Sequence, residues 1–175
     1  MHKNFTFIDL FAGCGGLSLG LEQAGFIPVY VNELNKDAMA TYLTNRKEFP
    51  LLQDVRFNSH DIYELTSKKY GLKNLSINLK KEYGLEKGDV TLVVGGPPCQ
   101  GYSGIGHRRS YKIEKKKIPS NYLYKEMAKV IKHLQPKAFI FENVKGLLSA
   151  RWTRNSKKGE IFEDVRKEFK KLNNY

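Results

Sequence analysis

The segment Gly95-Gly96-Pro97-Pro98-Cys99-Gln100-Gly101-Tyr102-Ser103 follows a compact apolar run and holds one of the two cysteines of the chain. Its prolines fix the backbone ahead of the thiol, and glycines on both sides let the chain turn sharply. A cysteine held rigidly beyond a strand is badly placed for packing and well placed to attack an electrophile as a thiolate. The alternative is a small buried apolar side chain, common for free cysteine. A second cluster, Phe11-Ala12-Gly13-Cys14-Gly15-Gly16, is a tight strand-to-helix turn. Its glycines let a ligand approach the backbone, and the helix that follows offers free N–H groups to an anionic group such as a carboxylate. It could hold a dinucleotide or be only a turn; Ser18 stands where the dinucleotide pattern wants glycine. Glu33, about 20 residues beyond the turn, is suited to accept both hydroxyls of a ribose, or is a plain strand-end carboxylate. Asp61 could accept from an adenine amino group or cap a helix.

Strands and helices must alternate to present these groups. Phe5 to Phe11 is an apolar run that ends in the glycines; Leu17, Leu19, Leu21 and Ala24 then suggest a helix stopped by Gly25. Val29 to Val31 is a short strand, and residues 36 to 46 form a helix with Ala38, Met39, Tyr42 and Leu43 on one face. An extended piece near Val55 to Ile62 is a third strand. Residues 63 to 88 are polar and lysine-rich, with Leu65, Leu72, Leu75 and Leu79 at helical spacing, and read as a surface insertion. Val90 to Val94 is a strand. A basic loop runs to about residue 120, followed by a helix over 122 to 133, a strand over Ala138 to Phe141 and an amphipathic helix from Glu160 to Leu172. This alternation predicts parallel βαβ units. Residues 11–16, 32–35, 61–62, 95–103 and 142–146 each follow a strand, so they should share one edge of the sheet and converge on one cleft.

A chain of 175 residues with 41% hydrophobic residues is long enough for one globular domain. Its 30 lysines and arginines against 18 acids leave a charge of +12, which attracts polyanions, nucleic acid foremost. Two distant cysteines argue against a disulfide framework and for a reducing cytosol, and they are too few for a zinc site with scattered histidines. No signal-peptide pattern opens the chain, and no apolar run approaches the ~20 residues of a membrane span. A cytoplasmic protein without a membrane partner or metal is expected.

Three segments in order carry a resemblance. Phe5-Thr6-Phe7-Ile8-Asp9-Leu10-Phe11-Ala12-Gly13-Cys14-Gly15-Gly16, Pro98-Cys99-Gln100 and Phe141-Glu142-Asn143-Val144 resemble the cofactor, nucleophile and glutamate motifs of the cytosine-5 DNA methyltransferase family, common in bacterial restriction-modification systems. The resemblance covers almost the whole chain apart from 63–88. It implies an α/β, Rossmann-like S-adenosylmethionine-dependent methyltransferase fold: a mostly parallel sheet with helices on both faces. It further implies S-adenosylmethionine as cofactor, S-adenosylhomocysteine as product and duplex DNA with a flipped cytosine as partner. By position, Phe11, Ala12 and the turn Gly13, Cys14, Gly15 and Gly16 meet the cofactor. Glu33 binds its ribose, and Leu34 packs on the adenine where a bulkier aromatic often stands. Asp61 and Ile62 contact the adenine edge, and Gly96, Pro98 and Leu123 complete the cofactor set. Cys99 is the nucleophile, Glu142 stabilises the adduct and Asn143 orients the backbone beside it. Gln100, Ser103, Arg108, Arg109 and Lys112 are the implied DNA contacts; the last four belong to a loop, 101 to 121, that also carries Lys115, Lys116 and Lys117.

Two departures stand out. Ile118-Pro119-Ser120-Asn121 occupies the place of the family's Asp-Pro-Arg-Asn run. The family's Gln-x-Arg-x-Arg motif, target-recognition domain and returning C-terminal helix do not occur before Tyr175. Residues 1–175 are therefore expected to be an incomplete S-adenosylmethionine-binding catalytic domain. Its sheet should be cut before the last antiparallel strands, with an open edge, and a second chain or missing C-terminal region is needed for activity. A non-catalytic cofactor- or DNA-binding subunit and a transfer-RNA cytosine-5 methyltransferase are the alternatives.

Overall fold

The computed structural model describes residues 5–67, 69, 71–98, 118–153 and 155–172. In chain order it contains β1 (Thr6–Leu10), α1 (Gly16–Gln23), β2 (Ile27–Asn32), α2 (Lys36–Thr44), β3 (Asn58–Ser59), α3 (Ile62–Ser67), α4 (Gly71–Tyr83), β4 (Leu92–Gly95), α5 (Leu123–Leu134), β5 (Ala138–Phe141) and α6 (Glu160–Lys170). The chain divides into two compact units, Met1–Gly96 with Lys129–Phe141, and Pro97–Ala128 with Glu142–Tyr175.

The first unit holds the whole sheet, in the order β3-β2-β1-β4-β5. All four pairings are parallel. Every residue of β1 and of β4 is buried. A strand buried along its full length is covered on both faces, which is why these segments read as continuous apolar runs rather than alternating ones. Leu10 pairs with Asn32 and with Gly95, and Gly95 with Phe141. The carboxyl ends of the strands are thereby aligned along one edge, the place where ligands bind in open parallel sheets. β5 is an outer strand, and its Ile140 is 43% exposed.

Two expectations change. The third strand is two residues long instead of running from Val55 to Ile62. Asp54 folds the chain locally by accepting from the Arg56 N–H at 2.9 Å, and Val55 points out, 83% exposed. At the other end Asp61 accepts from the Tyr63 N–H at 2.9 Å, so Ile62 already belongs to a helix. Residues 63–88 are likewise no surface insertion. Most of the described ones belong to α3 and α4, whose Leu65, Leu75 and Leu79 are buried. Parallel strands need a crossover, and with β3 and β4 separated by two strands these helices are that crossover.

In the second unit Trp152 is buried, donates from Nε1 to Asp164 Oδ2 at 2.7 Å, and stacks on Tyr122 with ring centres 4.9 Å apart. α6 buries Ile161 and Val165 and carries Glu160 and Glu163 in its first turn and Lys167 and Lys170 in its last, matching the helix dipole. Among the described residues no helix is long and apolar enough to cross a membrane.

Candidate active site

The glycine turn of the first unit begins with strain. Phe11, directly after β1, has φ 61°, a conformation that a bulky side chain adopts only when its surroundings enforce it. The Ala12 N–H donates to Asn32 O at 3.0 Å, tying the turn to the end of β2, and the Gly15 N–H closes it onto Ala12 O at 3.0 Å. No side chain caps α1, so its first N–H groups can serve an anion.

Glu33, at the end of β2, clamps this turn. Its Oε2 accepts from the Gly13 N–H at 2.8 Å and its Oε1 from the Asn35 N–H at 2.7 Å. Asn35 in turn caps α2 through the N–H groups of Asp37 and Ala38. Beside it Leu34 is 72% exposed, a large apolar side chain free to cover a flat ligand. Cys14 is an exposed free thiol. Ile62 is buried, which leaves its backbone rather than its side chain for a ligand. Gly96 is half-buried at the end of the same unit.

A buried polar network beneath the turn escaped the sequence reading. Ser18 Oγ donates to Asp9 Oδ2 at 2.5 Å, and Tyr42 OH lies 2.9 Å from the same Oγ. With the serine proton spent on Asp9, Tyr42 is the donor. Arg46, 2% exposed, donates from Nη2 to Gly15 O at 2.9 Å and from Nε to Glu22 Oε1 at 2.6 Å, while its guanidinium lies 3.9 Å from the centre of the Tyr42 ring. The available signals were Asp9, a charge inside an apolar strand, and the i, i+4 spacing of Tyr42 and Arg46.

The network makes the two turn glycines unequal. At Gly15, φ is 90° and an added Cβ would lie 2.5 Å from Arg46 Nη1 and 2.7 Å from Tyr42 Cδ2; at Gly13, φ is 56° with nothing within 4 Å. Gly15→Ala should cost about 2 kcal/mol or more, and Gly13→Ala about 1. Calorimetric melting should show the Gly15 variant lower by several degrees. Equal Tm values for the two variants would refute the packing described.

Burial pushes the Asp9 carboxyl up to about 7, against the lowering effects of the Ser18 hydrogen bond and of Arg46. Glu22 and Glu33 raise it further. The folded state therefore keeps the proton longer than the unfolded state, whose value is 3.8. The contribution of this group to stability is complete below that value and is lost as pH rises to about 7. Urea unfolding of Asp9→Asn should accordingly gain on the parent by a few kcal/mol across this window and run parallel to it above. Stability curves parallel from pH 4 to 8 would contradict the burial cost.

In the second unit Asn143 Nδ2 donates to Pro97 O at 3.1 Å, and Asn143 Oδ1 accepts from the Val144 N–H at 3.0 Å. This side chain joins the segment that leaves β5 to the segment that leaves β4, two residues ahead of Cys99 in the chain. Glu142 and Pro98 are exposed and Leu123 is half-buried. Cys99, Gln100, Ser103, Arg108, Arg109 and Lys112 lie outside the described residues.

The family described as C-5 cytosine-specific DNA methylase matches residues 5–175. A type II methyltransferase of Fusobacterium nucleatum, M.FnuDI, is 35% identical over 162 residues, 93% of this chain and 37% of that protein. M1.HphI of Haemophilus parahaemolyticus is 35% identical over 170 residues, 97% of this chain and 38% of the relative. M.AgeI of Thalassovita gelatinovora is 37% identical over 142 residues, or 81% of this chain and 28% of the relative. The chain thus spans well under half the length of these relatives. Among solved structures, a DNA modification methyltransferase encoded within an E. coli prophage superposes with a TM-score of 0.63 at 26% identity, covering 97% of this chain and 37% of that one. The S. pombe Dnmt2 methyltransferase shares the fold, with a TM-score of 0.55 at 18% identity over 95% of this chain and 39% of that one.

Proposed function

Because this chain belongs to the C-5 cytosine-specific DNA methylase family, we propose that it transfers a methyl group from S-adenosylmethionine to carbon 5 of cytosine in duplex DNA through a covalent adduct at Cys99. The observation that carries the reading is the Asn143–Pro97 hydrogen bond. It ties the backbone next to Glu142 to the rigid run that leads to Cys99, as a nucleophile and a carboxyl group acting on one ring would require.

The residues of the first unit suit the cofactor. The uncapped N-terminus of α1 fits its carboxylate. The Glu33 carboxylate, already oriented by two backbone N–H groups, retains lone pairs for ribose hydroxyls. Leu34 is open to the adenine face, and Asp61, half-buried as the cap of α3, stands ready for the adenine edge together with the Ile62 backbone. Phe11, Ala12, Gly13, Cys14, Gly15, Gly16 and Gly96 complete the proposed set of this unit, and the family resemblance adds Pro98 and Leu123 of the second unit. When bound, S-adenosylmethionine supplies an electrophilic methyl group.

The chain's own work is to make carbon 5 nucleophilic. Cys99, as thiolate, adds to carbon 6 and pushes an electron pair through the ring toward carbon 5 and N3. Glu142 shares a proton with N3 and accepts from the exocyclic amine, stabilising the charge that gathers there. Once carbon 5 carries the methyl group, a base, water at the simplest, takes the carbon 5 proton; the C–H electron pair restores the 5,6 double bond as the carbon 6–sulfur bond breaks and the thiolate leaves. A stacked cytosine is out of reach, so the base must be extruded at a cost of a few kcal/mol. Gln100, Ser103, Arg108, Arg109 and Lys112 are proposed to contact the extruded base and its phosphates, which makes binding salt-dependent.

Duplex DNA with 5-fluorocytosine at the target traps such an adduct, because fluorine cannot leave as a proton does. The chain should be offered this duplex with S-adenosylmethionine, alone and together with a polypeptide that supplies the remaining length of its relatives. A Cys99-dependent adduct is the expected result. Adduct on RNA alone would assign the protein to RNA, and none under either condition despite cofactor binding would make it a non-catalytic subunit.

A further inference from the structure

The first unit carries an open groove of about 730 Å³ between α4 and α5. It lies on the far edge of the sheet from the glycine turn. Lys87 precedes β4, Lys132 and His133 precede β5, and the Gly88 N–H bonds to Leu134 O at 2.9 Å beside them. One wall is α4, where Lys73, Ile77 and Lys80 follow the i, i+4, i+7 spacing of a single helix face. The other is the end of α5, with Lys129 and Lys132. Among the described residues five lysines and one acid line the groove, and that acid, Glu86, is bonded to Lys80 at 2.8 Å. The net charge of the described lining is therefore +4, around an apolar floor made by the half-buried Leu72 and by Ile77 where the α4 wall meets it, the latter 53% exposed. His133 is occupied, with Nε2 2.9 Å from Ser76 Oγ.

We propose that this groove docks an acidic amphipathic helix of a partner polypeptide, with apolar residues on Leu72 and Ile77 and carboxylates against the lysines of both walls. Charge complementarity selects an anionic occupant, and the floor selects a helix over a nucleic acid. Phosphates gain nothing from the half-buried Leu72 and the exposed Ile77, and among the described residues no phenylalanine, tyrosine or tryptophan lines the groove on which a base could stack. A helix with one apolar and one charged face satisfies both features, in the groove-binding mode that proteins use widely. The proposal is independent of the chemistry at Cys99.

Two synthetic peptides of identical acidic composition test it, one with leucines at helical spacing and one shuffled, titrated calorimetrically into the whole chain at physiological salt. The patterned peptide should bind about tenfold or more tightly than the shuffled one, since charge alone is screened there. Lys73→Glu/Lys132→Glu and Ile77→Asp alter exposed positions and should leave Tm unchanged, while each weakens the patterned peptide by about tenfold or more. Equal binding of both peptides, indifference to Ile77→Asp, or no binding at all would overturn the proposal. So would loss of duplex DNA binding in the double lysine variant without any effect on the peptide, which would make the groove a phosphate-binding face.

Discussion

Replacing Cys99 with serine should reduce methyl transfer to cytosine by on the order of 10⁴-fold or more, the scale on which covalent catalysis fails when its nucleophile is removed. A serine hydroxyl has nearly the size of the thiol but does not ionise near neutral pH, whereas a thiol at ~8.5 needs only modest help from its surroundings. The variant isolates the anion and leaves the shape. It should also fail to form an adduct with 5-fluorocytosine duplex while binding S-adenosylhomocysteine as the parent does, because the proposed cofactor contacts of Glu33 and the glycine turn are untouched. Transfer of labelled methyl groups and a gel-shift assay for the adduct read the two effects separately. If Cys99→Ser retained a tenth of the parental rate, the covalent mechanism would be wrong.

Glu142→Gln should be the second largest loss, about 10²- to 10³-fold in kcat, the usual consequence of removing one preorganised group from a developing charge. The amide keeps the volume and one acceptor but cannot share a proton with N3. Adduct formation itself should slow by the same factor, since the stabilised charge develops as sulfur adds to carbon 6. Cofactor affinity should stay within about twofold if Glu142 acts only on the base. A variant whose Km alone rises would show that the carboxyl group holds substrate equally in the ground and transition states. Asn143 offers a contrast: its amide reaches Pro97 O, so its loss should act through the position of the segment ahead of Cys99.

Glu33 illustrates how a single residue was half legible. Its place at a strand end follows from the β-rich run that closes at Asn32, and the observed strand, Ile27–Asn32, ends there. Its hydrogen bond to Gly13 does not follow, because it depends on β1 and β2 pairing in the register Leu10 with Asn32, whereas the bond to Asn35 closes within two residues of the chain. Arg46 was less legible still. In a chain with 30 basic residues a further arginine near the end of a helix looks solvated, yet this one is 2% exposed and supports the glycine turn. The short third strand was overread for a related reason: Val55 to Ile62 has strand-forming residues, but Asp54 and Asp61 recruit nearby N–H groups and close the segment at both ends.

Chain-local information determined the kinds of element and their order, and it singled out candidate residues for the chemistry. Apolar runs stopped by glycine or proline announce themselves over a few residues, and so does a thiol set among rigid neighbours. The identity of each residue's partner was set elsewhere, in the parallel register that brings Asp9, Ser18, Tyr42 and Arg46 together under one turn and makes 63–88 a crossover with buried leucines. Burial and long-range hydrogen bonds arise between segments tens of residues apart, so their strength depends on how the strands align, a property that no short window of sequence contains.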